Sequence, residues 1–119
     1  MLCEELARFN CECTPFVAGS RTPKGIPDRH FSHRRIVGGA FVEFKNPLTK
    51  LSTPQKTKIG ALRARGTFAI VARFIDNGLV IQFETTAGEI VSHCDTAADH
   101  FLFTLSTLAE LFHENYSQA

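Results

Sequence analysis

The chain predicts an α/β (α+β) fold: a mixed central sheet flanked by helices. Three stretches carry this expectation. Thr67 to Phe74 (TFAIVARF) is almost continuously apolar, the pattern of a strand buried on both faces. Phe41 to Lys45 (FVEFK) has the aromatic and β-branched content of another strand. Ala97 to Glu114 carries apolar residues at helical spacing over a wide stripe. At 119 residues the chain is long enough for one compact domain, spanning 1–119.

The elements follow in order. Leu2, Leu6 and Phe9 recur at helical spacing and predict a short first helix, with Glu5 nearer its apolar stripe than Glu4. Cys11 to Val17 predicts an irregular strand interrupted by Pro15, and Ala18 to Lys24 reads as a loop from its Gly, Ser, Thr and Pro. Asp28 to Arg35 and Ala40 to Lys45 predict the two arms of a hairpin, with Gly38-Gly39 between them. Asn46-Pro47 ends the second arm, because proline cannot donate to a ladder.

A helix starts at Ser52-Thr53-Pro54-Gln55, where Ser52 or Thr53 caps, Pro54 suits the first turn and Gln55 closes a capping box with Ser52. Ile59 and Leu62 mark its buried face and Gly66 its end. After the Thr67–Phe74 strand, Asp76-Asn77-Gly78 is a turn. Leu79 to Phe83 and Glu89 to His93 are two more strands around Ala87-Gly88. In the last helix, Phe101, Leu105, Leu108 and Phe112 form a seam that Leu102, Ala109 and Leu111 widen. Burial against the chain's own sheet is the default for such a seam, and a homodimer interface is the alternative.

No apolar run approaches the roughly 18 residues needed to span a bilayer. The opening MLCEELARFN lacks a basic start followed by an apolar core, so no secretory signal and no membrane association are expected. The chain is expected to be intracellular, in the cytoplasm of a bacterium or host cell, with Cys3, Cys11, Cys13 and Cys94 as reduced thiols. Cys11-Glu12-Cys13 has the wrong spacing for a zinc knuckle and lacks a second Cys/His pair.

The net charge of +1 hides an asymmetry. Residues 21–65 hold eleven Lys and Arg against two acids, a net +9; the remainder holds two against ten, a net −8. A phosphate polymer bound near 21–65 would gain from that field, with strong salt dependence. Solvated loop and helix faces are the plainer account of the same charges.

The chemistry gathers between Gly25 and Gln55. On a strand, Glu43 and Lys45 project to one face, while Val42 and Phe44 project to the other. Alone, such a pair reads as a surface ion pair of little energetic consequence. Asp28 changes this, because a hairpin between Asp28 and Glu43 would bring the two carboxylates together beside Lys45. His30 and His33 lie three apart on the first arm and so face opposite sides, which favours phosphate contact or solvation over a metal set with Asp28.

Gly25, Pro27 and Asp28, then Glu43-x-Lys45, then Leu51, Ser52 and Gln55 at a helix start, resemble the VRR-Nuc domain, a branch of the PD-(D/E)xK nuclease superfamily. The resemblance runs from Gly25 to Arg73 and leaves the 97–114 helix outside it. It implies a restriction-endonuclease-like core and a phage-type, single-domain endonuclease that hydrolyses DNA phosphodiesters with Mg²⁺ or Mn²⁺. Asp28, Glu43 and the backbone carbonyl of Phe44 are the implied metal ligands. Glu5 is a further candidate by analogy with helix carboxylates of the superfamily, or else a first-turn glutamate favoured by the helix dipole.

Lys45 would position water and offset phosphate charge; two carboxylates beside an ammonium favour its charged form and oppose a general-base role. Gln55 lines the site in the resembled family. Lys24, Arg29, Arg34, Arg35, Lys50 and Lys56 are the expected DNA contacts. Members of this size resemble Holliday-junction resolvases that act on branched DNA as homodimers, in DNA repair. A catalytically weak nucleic-acid-binding module with a nuclease fold is the alternative.

Overall fold

The computed structural model describes residues 2–15 and 27–118. The elements are α1 (Leu2–Ala7), β1 (Glu12–Pro15), β2 (Arg29–His33), β3 (Ile36–Lys45), α2 (Thr53–Ala64), β4 (Ala69–Ile75), β5 (Val80–Glu84), β6 (Ile90–Asp95) and α3 (Ala98–Gln118). One six-stranded sheet runs in sequence order, β1 to β6. The β3–β4 pair is parallel and α2 makes its crossover; the other four neighbouring pairs are antiparallel. This is the expected mixed sheet flanked by helices.

Alternation along β4 explains why its sequence is apolar but for Arg73. Ile70 and Ala72 enter the larger core, built with Leu6 of α1, Phe31, Val42, Ile81, Phe83, and Phe101 and Leu105 of α3. Ala69 and Val71 face the other way, against Ile59 of α2, with Phe41, Leu51 and Leu62 around them. Helices on both faces leave the first half of β4 no polar side, and successive side chains point to opposite layers.

The hairpin between β2 and β3 departs from the sequence expectation. It turns at Arg34-Arg35, where His33 pairs with Ile36, and not at Gly38-Gly39. Phe31 pairs with Ala40, so β3 carries two extra residues across that interval. Gly38 and Gly39 absorb them as a bulge, each at φ +75°, a conformation that costs a residue without Cβ little. The physical reason is burial: Ile36 and Ala40 both enter the core, so pairing continues past the glycines. A Cβ on Gly39 would stand 2.7 Å from His30 Nε2.

Other departures are smaller. β1 is shorter than the expected Cys11–Val17 strand; Phe16, Val17, the Ala18–Lys24 loop and Gly25 lie outside the described residues. Cys3 and Cys13 are joined in a disulfide tying α1 to β1, where four thiols were expected, because α1 packs back along that strand. Cys11 and Cys94 are free, and burial pushes the Cys11 thiol up to about 11, which keeps it protonated. On α3, Phe101, Leu102, Leu105 and Ala109 are buried in the chain's own core, while Phe103, Leu111 and Tyr116 are exposed. Among the described residues no helix is long and apolar enough to cross a membrane.

Candidate active site

The candidate site lies at the C-terminal end of β3, where it meets the start of β2. Arg29 pairs with Val42, and continuing that antiparallel register sets Asp28 opposite Glu43. Asp28 is held there by its own carboxylate, whose Oδ2 accepts a 3.0 Å hydrogen bond from the Phe44 amide. Pro27, fully buried, fixes the approach to Asp28. Glu43 and Lys45 share a face as alternation requires, with Lys45 Nζ 3.9 Å from Glu43 Oε2.

Glu43 is only 2% exposed, and its Oε1 is buried with no hydrogen-bond partner. Burial pushes its carboxyl up to about 8; hydrogen bonding to Asp28 and repulsion from its charge add to the rise, and Lys45 opposes it. A buried, unsatisfied carboxylate oxygen beside a second carboxyl is costly unless the group is protonated, as this rise favours, or a cation compensates it.

These residues open onto a cleft of about 370 Å³ lined by Asp28, Glu43, Phe44, Lys45, Asn46, Thr49, Gln55 and Phe74. Gln55 serves both expectations at once. Its Oε1 accepts from the Ser52 backbone amide at 2.9 Å and its backbone N–H donates to Ser52 Oγ at 3.2 Å, closing the capping box, while the residue also lines the cleft. The Phe44 ring stacks on Phe74, with centroids 5.5 Å apart, and anchors the cleft to the core.

The remaining sequence candidates lie at varied distances. Lys50 and Lys56 are exposed and adjoin Thr49 and Gln55 at the cleft. Arg29 is half-buried and donates to the Asp28 carbonyl at 3.2 Å. Arg34 and Arg35 are exposed at the hairpin turn, about 20 Å from Asp28 by strand rise. Glu5 is exposed on α1 and is not among the described residues lining the cleft. Lys24 lies outside the described residues.

Both histidines of β2 have structural partners. His30 packs edge-on against Phe41 at 4.6 Å, and burial lowers its pKa. His33 Nδ1 accepts from the Arg35 amide, which leaves Nε2 as donor to the Phe9 carbonyl at 2.9 Å.

Sequence reasoning passed over Arg73. On β4 it pairs in register with Lys45, and its Nε donates to Glu84 Oε2 at 2.8 Å. Its Nη1 donates to the carbonyls of Asn46 at 2.7 Å and Thr49 at 2.6 Å, directly behind the cleft. The available signal was a lone arginine in an otherwise apolar strand, since buried arginines are almost always paired.

Among the described residues no group of three or more His, Cys, Asp or Glu is arranged to hold a metal. Two carboxylates with backbone carbonyls nevertheless suit a hard cation such as Mg²⁺ or Mn²⁺; Mg²⁺ is typically held by one or two protein carboxylates and keeps several waters. The unpartnered Glu43 oxygen is the observation that fits such an ion.

No protein-family model matches this chain. No curated protein matches it either. Among solved structures it is similar to Hjc, a Holliday junction resolvase from the archaeal hyperthermophile Archaeoglobus fulgidus. The TM-score is 0.52 at 17% identity, over 85% of this chain and 87% of that one. The likeness extends over most of both chains and establishes a fold of the restriction-endonuclease type, as the sequence predicted.

Proposed function

We propose that this chain is a metal-dependent endodeoxyribonuclease, a single VRR-Nuc-like domain that hydrolyses DNA phosphodiesters and prefers branched DNA. The observation that carries the reading is the meeting of Asp28, Glu43 and Lys45 in one cleft, with a buried Glu43 oxygen left unpartnered. Similarity in fold to a Holliday junction resolvase supports it.

Asp28, Glu43 and the Phe44 carbonyl would hold Mg²⁺ or Mn²⁺. When bound, that ion supplies charge neutralisation at the phosphate and a more acidic water. Lys45 orients the attacking water and offsets charge on the phosphate oxygens. Gln55, fixed by its cap, contributes its amide to the same cleft. Water adds to phosphorus as the bond to the 3′-oxygen breaks, leaving a 5′-phosphate and a 3′-hydroxyl. Lys50 and Lys56 flank the cleft as phosphate contacts, Arg29, Arg34 and Arg35 extend the basic surface along the β2–β3 hairpin, and Lys24 belongs to the same basic segment.

A homodimer would give a symmetric junction two such sites. Val91 and Leu111, both exposed, share a shallow groove with Leu108 and Phe112 that suits a second copy. An intracellular setting, in DNA repair or phage replication, is the corresponding context.

One observation favours a weakly catalytic binding module instead: Glu5 stands away from the cleft, so the carboxylate set is small. Cleavage decides between the two. A four-way junction, a flap, a linear duplex and a single strand would be incubated with Mg²⁺ or Mn²⁺ and either native protein or Lys45→Ala. Paired symmetric nicks in the junction, lost in the variant, are the expected result. Cleavage of another structure, equally lost, keeps the nuclease and removes the resolvase. Binding without metal-dependent cleavage of any substrate selects the binding module.

A further inference from the structure

Immediately after Lys45 the chain reverses through Asn46-Pro47-Leu48-Thr49, closed by a Thr49 amide to Asn46 carbonyl hydrogen bond of 3.2 Å. A short exposed turn is ordinarily soft. This one is braced: the Arg73 guanidinium donates to the Asn46 and Thr49 carbonyls and lies 3.5 Å from that of Pro47. The guanidinium is itself held by Glu84, with both side chains largely buried at 16% and 9% exposure. Asn46 and Thr49 line the cleft, so the turn forms its lip.

On that lip stands Leu48, 95% exposed. Scattered exposed leucines are ordinary on protein surfaces. What distinguishes this one is its mounting. It sits between two cleft-lining residues on a turn held by a charge-assisted clamp, with Lys50 beside it for phosphate. An apolar side chain at the mouth of a DNA cleft meets covered base faces on continuous stacked duplex and inserts there only by unstacking a step. It meets an open base face, without that cost, wherever stacking is interrupted.

We propose that Leu48 is a specificity-determining wedge that packs against a base exposed at a break in DNA stacking, and that Arg73 is the positioning residue that keeps the wedge presented. The proposal rests on the nuclease reading and deepens it, because it names the DNA feature the cleft selects. A branch point, a flap base and a nick all offer that feature.

The test reports on the DNA and needs no turnover. In a Lys45→Ala background, the full chain is bound to a four-way junction, a flap, a nicked duplex and a continuous duplex of matched sequence. Each carries 2-aminopurine at the base beside the break, or at the equivalent position. Binding is expected to raise 2-aminopurine fluorescence in the interrupted substrates only, and the arms of the panel rank branch, flap and nick. Leu48→Ala is expected to abolish the rise and to cut the preference for interrupted over continuous DNA by about tenfold, with continuous-duplex affinity unchanged.

Arg73→Lys keeps the charge but loses the fork that joins Glu84 to the turn, and is expected to reduce the rise without Leu48 being touched. A circular-dichroism melt accompanies it, and Leu48→Ala, a fully exposed change, gives the result independent of any loss of folding. Retention of both the rise and the preference in Leu48→Ala overturns the wedge. Failure of the nuclease reading looks different: the Lys45-containing protein then cleaves no DNA with either metal. Cleavage by that protein with unchanged substrate ranking in Leu48→Ala removes the wedge alone.

Discussion

Lys45 Nζ stands 3.9 Å from Glu43 Oε2, while the other oxygen of the same carboxylate is buried with nothing bonded to it. The lysine therefore compensates only part of the Glu43 charge. Once Glu43 ionises, the uncompensated part is an electrostatic liability of the metal-free protein and the feature that makes the cleft suited to a cation.

That liability has a pH signature. The Glu43 carboxyl is raised from an ordinary 4.5 to about 8 by burial and by Asp28. A raised folded-state value means the unfolded chain releases this proton first. The contribution to stability is then fully present below about pH 4.5 and is lost as pH rises through about 8. The melting temperature of metal-free protein should fall across that window relative to Glu43→Gln, which has no charge to bury there. Adding Mg²⁺ or Mn²⁺ at pH 8 should raise the melting temperature of the native protein and not of the variant. An identical pH slope in the two proteins would remove Glu43 as its source.

Gln55 allows its two roles to be separated. Gln55→Glu keeps an acceptor at the third position of the capping box, so stability should change by less than about 0.5 kcal/mol, while a new negative charge at the cleft lowers cleavage. Ser52→Ala should do the reverse, costing about 1 kcal/mol with cleavage retained at temperatures where the protein is folded. Urea unfolding and a nicking assay on the same preparations check both. Unchanged cleavage by Gln55→Glu would leave only the capping role.

The Arg73–Glu84 pair is predicted to matter for stability as well as for the lip. Glu84→Gln preserves shape but leaves a mostly buried guanidinium without its counter-charge. A loss of about 2 kcal/mol is expected in urea unfolding, in the range for hydrogen bonds to charged groups. A change within a few tenths of a kcal/mol would mean that the Asn46 and Thr49 carbonyls alone satisfy Arg73.

Gly39→Ala tests the bulge. The added methyl meets His30 at 2.7 Å and the backbone must hold φ +75°. The two costs together should exceed about 1 kcal/mol. Adding His30→Ala should relieve the clash with the imidazole and leave the conformational part and the tight 3.1 Å approach to the Phe31 carbonyl. A destabilisation that His30→Ala does not relieve at all would assign the whole cost to the backbone.

Much of this architecture is local in origin and could be read from residue order. Alternation in FVEFK puts Glu43 and Lys45 on one face, because a strand has a period of two. Near-continuous apolarity in AIVARFI announces a strand covered on both sides, and Ser52-x-x-Gln55 announces a helix start through hydrogen bonds spanning three residues.

Other features came from packing. Gly38-Gly39 carries a strong turn signal, yet the turn lies at Arg34-Arg35 and the glycines make a bulge, because burying Ile36 and Ala40 together sets the register. Cys3 reaches Cys13 only because α1 folds back on β1. Arg73 meets Asn46 across 27 residues of chain, a contact no local pattern encodes. The depth at which Glu43 lies, and so its unpartnered oxygen, depends on both layers closing around β3. Short-range order writes conformational preference and sidedness; burial, register and long-range hydrogen bonds exist only once distant segments share one core.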